Sequence, residues 1–153
     1  MKTRLIAVGR VREPYIAAAA ADFRTRLRRY DPFEEIEVAA SAGCDPDRAM
    51  REEGERIVRA LEPSEPLWLL ERTGVELSSQ EFVERLAATR QSGIARLSIA
   101  VAGTFGASEA LLSRATFRWS LSRLTFLHEW ARALVLEQLY RAAKISRNEP
   151  YHH

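Results

Sequence analysis

Residues 97–107 read Leu-Ser-Ile-Ala-Val-Ala-Gly-Thr-Phe-Gly-Ala and show most directly what kind of fold to expect. The first five residues form a short and almost fully apolar run, which is typical of a strand buried on both faces of a sheet. The glycine-containing turn then ends the strand, and Ser108 is placed to cap a helix directly after it. A buried strand that leads through a tight turn into a helix is typical of an α/β fold.

The same alternation continues outward in both directions along the chain. Four further strands are predicted, at residues 3–9, 33–38, 67–70 and 117–122. Helices are predicted at residues 15–29, 46–61, 79–91, 108–114 and 128–144. Five strands separated by helices predict an α/β fold with a mostly parallel sheet and helices on both faces. A chain of 153 residues fits one domain spanning residues 1–153.

Composition narrows the class of protein. The chain is 46% hydrophobic and 29% charged, which excludes a disordered or collagen-like protein. A single cysteine, Cys44, excludes a disulfide framework and suits the cytoplasm, while three histidines without ligand spacing predict no metal site. The longest uncharged stretch near the middle, residues 97–108, is far short of the ~20 residues of a transmembrane helix, so no membrane partner is predicted.

The basic residues are almost all arginine. Of 23 lysines and arginines, 21 are arginine, although the net charge is only +2. Arginine forks readily onto phosphate, so this bias is compatible with RNA binding. A GC-rich genome, which favours arginine codons, is the preferred explanation, because a net charge of +2 gives a weak field for a dedicated nucleic-acid binder. Four arginines crowd the end of the first predicted helix, namely Arg24, Arg26, Arg28 and Arg29. They either complement the helix dipole or form a phosphate-contacting patch.

Three strand ends are candidates for a ligand site, because ligands of open α/β sheets bind at the carboxyl ends of the strands. These ends are residues 70–74, 102–106 and 121–126. Glu71 could act as a base or bind ribose hydroxyls, or it could simply cap a turn. His128 opens the last predicted helix and, as a lone histidine, fits a structural role better than a catalytic one. That helix is apolar on most sides, which indicates self-association.

Several segments together resemble a known family. Trp119-Ser-Leu-Ser-Arg-Leu-Thr-Phe-Leu-His128, Glu137-Gln-Leu-Tyr-Arg-Ala142, Pro150-Tyr-His152 and Leu5-Ile-Ala-Val-Gly9 resemble the RlmH family of SPOUT-class methyltransferases. The resemblance covers essentially the whole chain. It implies an α/β fold whose C-terminal segment forms a trefoil knot, and a cytoplasmic homodimer. It also implies S-adenosylmethionine as methyl donor, and methylation of N3 of a pseudouridine in 23S ribosomal RNA within the assembled ribosome.

The resemblance also assigns site residues. The methyl donor would be bound by Leu70, Ala102, Gly103, Leu121, Ser122, Arg123, Leu124, Thr125 and Phe126. The resemblance places Tyr151 and His152 near the target base, with Arg132 nearby; we expect Tyr151 to stack on or orient the base, His152 to assist removal of its proton, and Arg132 to hold phosphate. His128 would lie close to them. An imide nitrogen must lose its proton before it is methylated, so a general base or a route to water is expected.

Some positions depart from the family pattern. Ala102 stands where a Gly-Gly pair usually begins, Leu127 replaces a usual proline and Glu129 a usual glutamine, and His153 replaces a terminal lysine or arginine. These departures leave room for a second hypothesis, an RNA- or ribosome-binding module of the same fold that has lost catalysis. A third hypothesis is an α/β enzyme that binds a small phosphorylated ligand at the turn of residues 103–106.

Overall fold

Five strands form one parallel sheet in the computed structural model, which describes residues 1–151. The strands are β1 (Lys2–Val8), β2 (Phe33–Val38), β3 (Leu67–Glu76), β4 (Arg96–Val101) and β5 (Phe117–Ser120). Their spatial order is β2-β1-β4-β3-β5, and all four neighbouring pairs are parallel. The predicted α/β sheet is therefore confirmed, while the predicted trefoil knot stays a prediction.

Five helices cover the two faces of the sheet, as the sequence predicts. They are α1 (Pro14–Leu27), α2 (Pro46–Arg59), α3 (Ser79–Gln91), α4 (Glu109–Arg114) and α5 (His128–Ile145). Helices α1 and α3 pack against α5 on one face, and α2 packs against α4 on the other. Side chains of Asp45, Ser78 and Ser108 cap the starts of α2, α3 and α4. These caps are local features, and they explain why the predicted starts agree with the structure.

The core lies on both sides of the strands. Along β4, Ile99 packs into the cluster beneath α5 with Leu136, whereas the next residue, Ala100, packs into the cluster beneath α2 with Ile57. Successive side chains of a strand point to opposite faces, so a strand covered on both faces must be apolar at every position. This requirement accounts for the apolar run at residues 97–101, in which the buried Ser98 is the one polar residue.

The third strand is longer than the sequence predicts. Strand β3 continues to Glu76, whereas the sequence predicts a strand that ends at residue 70 and a loop at residues 70–74. The ladder with β5 is interrupted by a bulge, so that Leu70 and Val75 both pair with Trp119. Gly74 permits this close approach, because a Cβ there would lie 2.6 Å from the Arg118 carbonyl oxygen. Hydrophobicity did not reveal the extension because most of the added residues are polar or charged.

Residues 1–151 contain neither a membrane-spanning helix nor a cluster of metal-ligating side chains. No helix in this part of the chain is long and apolar enough to cross a bilayer. Within the same residues, no group of three or more histidine, cysteine, aspartate or glutamate side chains is arranged to hold a metal ion.

Candidate functional site

A cavity of about 410 Å³ opens where β4 and β5 end, beside the bulge of β3 that follows Leu70. Eight of the nine residues assigned to methyl-donor binding line it: Leu70, Ala102, Gly103, Leu121, Ser122, Leu124, Thr125 and Phe126. The ninth, Arg123, is exposed and does not line the cavity. His128, at the start of α5, also lines it. We call this space the donor cavity, after the role that the resemblance predicts for the residues that line it.

Backbone turns shape the walls of the donor cavity. In the turn after β4, the Gly106 N–H donates to the Gly103 carbonyl oxygen at 3.0 Å, and Gly106 has a φ of +93° that disfavours other residues. In the segment after β5, the Ser120 hydroxyl contacts the Arg72 and Ser122 carbonyl oxygens at 3.1 and 3.0 Å. Both connections therefore have defined conformations.

Apolar side chains on the cavity wall are open to solvent. Leu124 is 71% exposed and Phe126 is 39% exposed, although both line a concave surface. Large apolar side chains that line a cavity and remain exposed are typical of a binding site for a ligand with an apolar ring. The donor cavity therefore suits a nucleoside-sized ligand that buries these side chains.

Glu71 lines the donor cavity, but its carboxylate is engaged locally. Its Oε2 accepts a hydrogen bond from the Thr73 N–H at 2.7 Å and another from the Thr73 hydroxyl. This geometry supports the turn-capping interpretation of Glu71 over its interpretation as a base.

Arg132 does not have the environment predicted for a phosphate contact. The side chain is buried, and its guanidinium donates to the carboxylates of Glu35 and Glu37 and to the Gly9 carbonyl oxygen at 3.0 Å. Arg24 shares the Glu35 carboxylate. Each guanidinium nitrogen thus donates a hydrogen bond within the same chain, so Arg132 links α5 to β2 and to the residue that follows β1. We correct its predicted role from phosphate binding to a structural ion-pair cluster.

The arginines at the end of α1 divide into two pairs. Arg24 contacts Glu35 and Arg26 contacts Asp22, whereas Arg28 and Arg29 are exposed. Arg24 therefore has a structural role, whereas Arg26, whose pair with Asp22 is exposed, keeps both of the predicted possibilities together with Arg28 and Arg29.

Tyr151 packs on the C-terminal half of α5 and does not line the donor cavity. Its hydroxyl donates to Glu137 Oε1 at 2.6 Å, and the Arg141 guanidinium lies 4.0 Å from its ring centroid. Burial, together with the hydrogen bond to Glu137, raises the pKa of Tyr151 to about 12. Glu137 follows His128 by nine positions along α5, a rise of about 13.5 Å. The chain therefore does not bring its own Tyr151 to its own donor cavity, and His152 lies outside the described residues.

A second cavity of about 610 Å³ adjoins the first, and we call it the polar cavity. It lies where β1 and β2 end, and Gly103, Thr104 and His128 line both cavities. Its other lining residues are Val8, Gly9, Arg10, Arg12, Glu37, Val38, Ala39, Ala40, Glu53 and Glu129. Sequence reasoning missed this cavity, because Glu53 lies within a charged helix and no local pattern distinguishes it.

An exposed apolar surface lies at the start of α5. Trp130 is 40% exposed and packs on the exposed Tyr15, with ring centroids 5.9 Å apart, and Leu127 beside it is also exposed. Most other apolar residues of α5 are buried within the single chain. The predicted self-association therefore depends on this smaller surface and stays a prediction.

Comparison with known proteins shows the family of the chain. The family model described as "Predicted SPOUT methyltransferase" matches residues 1–152. Curated relatives include "Ribosomal RNA large subunit methyltransferase H" of Pelobacter propionicus, 39% identical, and of Trichlorobacter lovleyi, 37% identical, each aligned over 100% of both chains.

Similar solved structures extend the agreement to the fold. A probable methylase family protein from Haemophilus influenzae has a TM-score of 0.55 at 15% identity, over 95% of this chain and 66% of the other. The tRNA (m1G37) methyltransferase from Aquifex aeolicus has a TM-score of 0.53 at 15% identity, over 98% of this chain and 71% of the other. At this identity the likeness concerns the fold alone. Because the family model and the full-length relatives match along the chain, the chain belongs to the SPOUT methyltransferases, in the family of ribosomal RNA large subunit methyltransferase H.

Proposed function

We propose that this protein methylates large-subunit ribosomal RNA with S-adenosylmethionine as methyl donor. The observation that carries the proposal is the donor cavity, which eight of the nine assigned donor-binding residues line in a chain of this family. The full-length relatives bear the name of a ribosomal RNA large subunit methyltransferase. From the resemblance, the target is N3 of a pseudouridine in 23S ribosomal RNA, in the assembled ribosome in the cytoplasm.

The residues of the donor cavity fit S-adenosylmethionine. Leu70, Leu121 and Leu124 supply apolar surface for an adenine ring, and the glycine-containing turn of residues 103–106 brings main chain to the cavity wall. When bound, S-adenosylmethionine supplies a methyl group that its positively charged sulfur already activates. The remaining task of the protein is to hold the acceptor nitrogen in line and to accept or conduct its proton.

The proton of the acceptor nitrogen needs a recipient other than Tyr151. A phenol with a pKa of about 12 stays protonated at neutral pH, so it donates a hydrogen bond and does not act as a base. We therefore propose that Tyr151 orients the base and that His152 assists proton removal, directly or through water. His128, in the wall of both cavities, would face the reacting groups.

The position of the tail favours a composite site made by two chains. Tyr151 contacts Glu137, about 13.5 Å along α5 from His128. The tail of one chain can therefore serve a donor cavity only on another chain, unless it is rearranged. The exposed apolar surface at Trp130 and Tyr15 is available for such a contact. We infer a homodimer in which each tail completes the partner's site.

The proposed function predicts a specific modification. Purified protein incubated with ribosomes and S-adenosylmethionine should produce a singly methylated pseudouridine, detected by mass spectrometry of ribosomal RNA nucleosides. Free ribosomal RNA serves as a second substrate, and omission of the donor is the control. Calorimetry should show donor binding in the micromolar range, ~8 kcal/mol. Absence of donor binding with RNA binding retained would favour the non-catalytic RNA-binding module instead.

His152→Ala tests the role of the tail. The variant should keep its affinity for S-adenosylmethionine and lose most of its turnover, because the substitution leaves the donor cavity intact. Co-expression with Gly103→Ala chains should restore part of the activity, since a mixed dimer contains one site with an intact cavity and an intact tail. A parallel loss of donor affinity would show that His152 has a structural role, and a failure of co-expression to restore activity would contradict the composite site.

A further inference from the structure

Methyl transfer needs two binding spaces that meet, because the donor carbon and the acceptor nitrogen must come into contact. The donor cavity supplies one space, and the polar cavity lies directly against it. The shared wall consists of Gly103, Thr104 and His128. The polar cavity also lies at the carboxyl ends of β1 and β2, where ligands of open parallel sheets bind.

Glu53 places an unsatisfied carboxylate oxygen at the polar cavity. The residue is only 5% exposed, and its Oε1 accepts a hydrogen bond from the Ser41 N–H at 2.9 Å. Its Oε2 is buried and has no hydrogen-bond partner among residues 1–151. Burying a carboxylate oxygen without a partner is costly, so its presence at a cavity indicates a donor group that arrives with a ligand.

The unsatisfied oxygen lies at the wall between the two cavities. A Cβ on Gly103 would come 2.2 Å from Glu53 Oε2, so the glycine leaves the space that this carboxylate occupies. Glu53 therefore lies beside the place where donor and acceptor meet.

The other carboxylates of the polar cavity already have partners, and its arginines are exposed. Glu129 accepts hydrogen bonds from the backbone N–H groups of Arg12 and Glu13, and Glu37 pairs with Arg132. The side chains of Arg10 and Arg12 are exposed beside the cavity. A carboxylate in the interior and arginines at the surface match a nucleotide, whose base carries N–H groups and whose phosphates are anionic.

We propose that the polar cavity binds the RNA nucleobase that accepts the methyl group, and that Glu53 Oε2 receives a hydrogen bond from an N–H on the edge of that base. The inference rests on the proposed function. The amino-acid end of the methyl donor is the competing occupant. A volume of about 610 Å³, larger than the donor cavity itself, favours a nucleotide over that small group.

Glu53→Gln tests the inference, with Glu55→Gln as the matched control. Glutamine keeps the size of the side chain but can satisfy the Ser41 N–H only by turning its own NH₂ toward the base. The value of kcat/KM for ribosomal RNA should fall roughly 10- to 100-fold, mainly through KM, while the Kd for S-adenosylmethionine stays unchanged. Glu55 is exposed on the same helix and pairs with Arg59, so its variant should behave as wild type.

Glu53→Asp is a second variant, which keeps the negative charge but shortens the side chain by one methylene group. We expect the same fall in kcat/KM for ribosomal RNA and the same unchanged Kd for S-adenosylmethionine. A parallel loss of donor affinity would assign the carboxylate to the donor and overturn the inference, as would an unchanged kcat/KM. Unfolding of both variants would show that Glu53 serves the fold alone, and the inference would also fail. A wild-type protein that methylates no ribosomal RNA would refute the proposed function itself, whereas an active wild type with equally active variants would refute only the acceptor subsite.

Discussion

An alanine in place of Gly103 should weaken S-adenosylmethionine binding by about 100-fold, ~2.8 kcal/mol. The added Cβ would lie 2.2 Å from Glu53 Oε2, 3.0 Å from Glu53 Cδ and 3.3 Å from Val8 Cγ1. Glu53 is buried and held by the Ser41 N–H, so it cannot swing into solvent without losing that bond. The turn must therefore shift, which deforms the wall of the donor cavity. Calorimetry with the purified variant measures the effect.

Gly93→Ala is the control for this substitution. Gly93 follows α3 with a φ of +79°, and no atom lies within 4 Å of an added Cβ. Alanine at this left-handed position should lower the free energy of unfolding by about 1 kcal/mol, because residues with a Cβ disfavour a positive φ. The affinity for the donor should stay unchanged. The double variant Gly103→Ala with Glu53→Ala should recover donor binding, because the main obstacle is removed. If it does not, the steric explanation is wrong.

Replacing Arg132 with methionine should lower the free energy of unfolding by about 3–5 kcal/mol. The substitution leaves the buried Glu35 carboxylate with Arg24 alone and removes the partner of Glu37. It also removes the hydrogen bond to the Gly9 carbonyl oxygen. A loss of this size is a large part of the stability of a typical domain. Urea denaturation monitored by circular dichroism measures it.

Arg26→Met is the matched control, because Arg26 forms an exposed pair with Asp22 one helical turn away. Such surface pairs contribute ~1 kcal/mol or less. If the Arg132 variant were as stable as wild type but had lost RNA affinity, the original prediction of a phosphate contact would be right and the structural role wrong.

Local patterns account for the agreement between the predicted and observed elements. The capping box of Ser78 and Glu81 and the apolar run at residues 97–101 each lie within one element, and the order of strands and helices follows from them. The end of β3 was predicted wrongly, because its extension depends on a bulged ladder with β5 and on the space left at Gly74. Pairing partners 40 or more residues apart leave no local signal.

The donor cavity was largely predictable for a different reason. The carboxyl ends of parallel strands lie along one edge of a sheet, so residues 70, 102–103 and 121–126 were expected at the same edge once the sheet was parallel. The strand order, in which β4, β3 and β5 are neighbours, then brings them together. The resemblance to a family then indicated which of these residues are expected to bind the donor. Neither argument located the polar cavity, which required the positions of α2 and of the segment after β1.

The order and type of the secondary structure elements, the sheet class and the family were contained in the chain itself, because they depend on local periodicity, capping and motifs. The roles of individual charged side chains were not. Arg132 is a structural cation because Glu35 and Glu37 come to it from β2. Glu53 Oε2 faces Gly103 and has no hydrogen-bond partner among residues 1–151. Tyr151 does not line the donor cavity of its own chain because its hydroxyl contacts Glu137, in the C-terminal half of α5. Electrostatic partners are selected by distance in space, so these assignments required the folded protein.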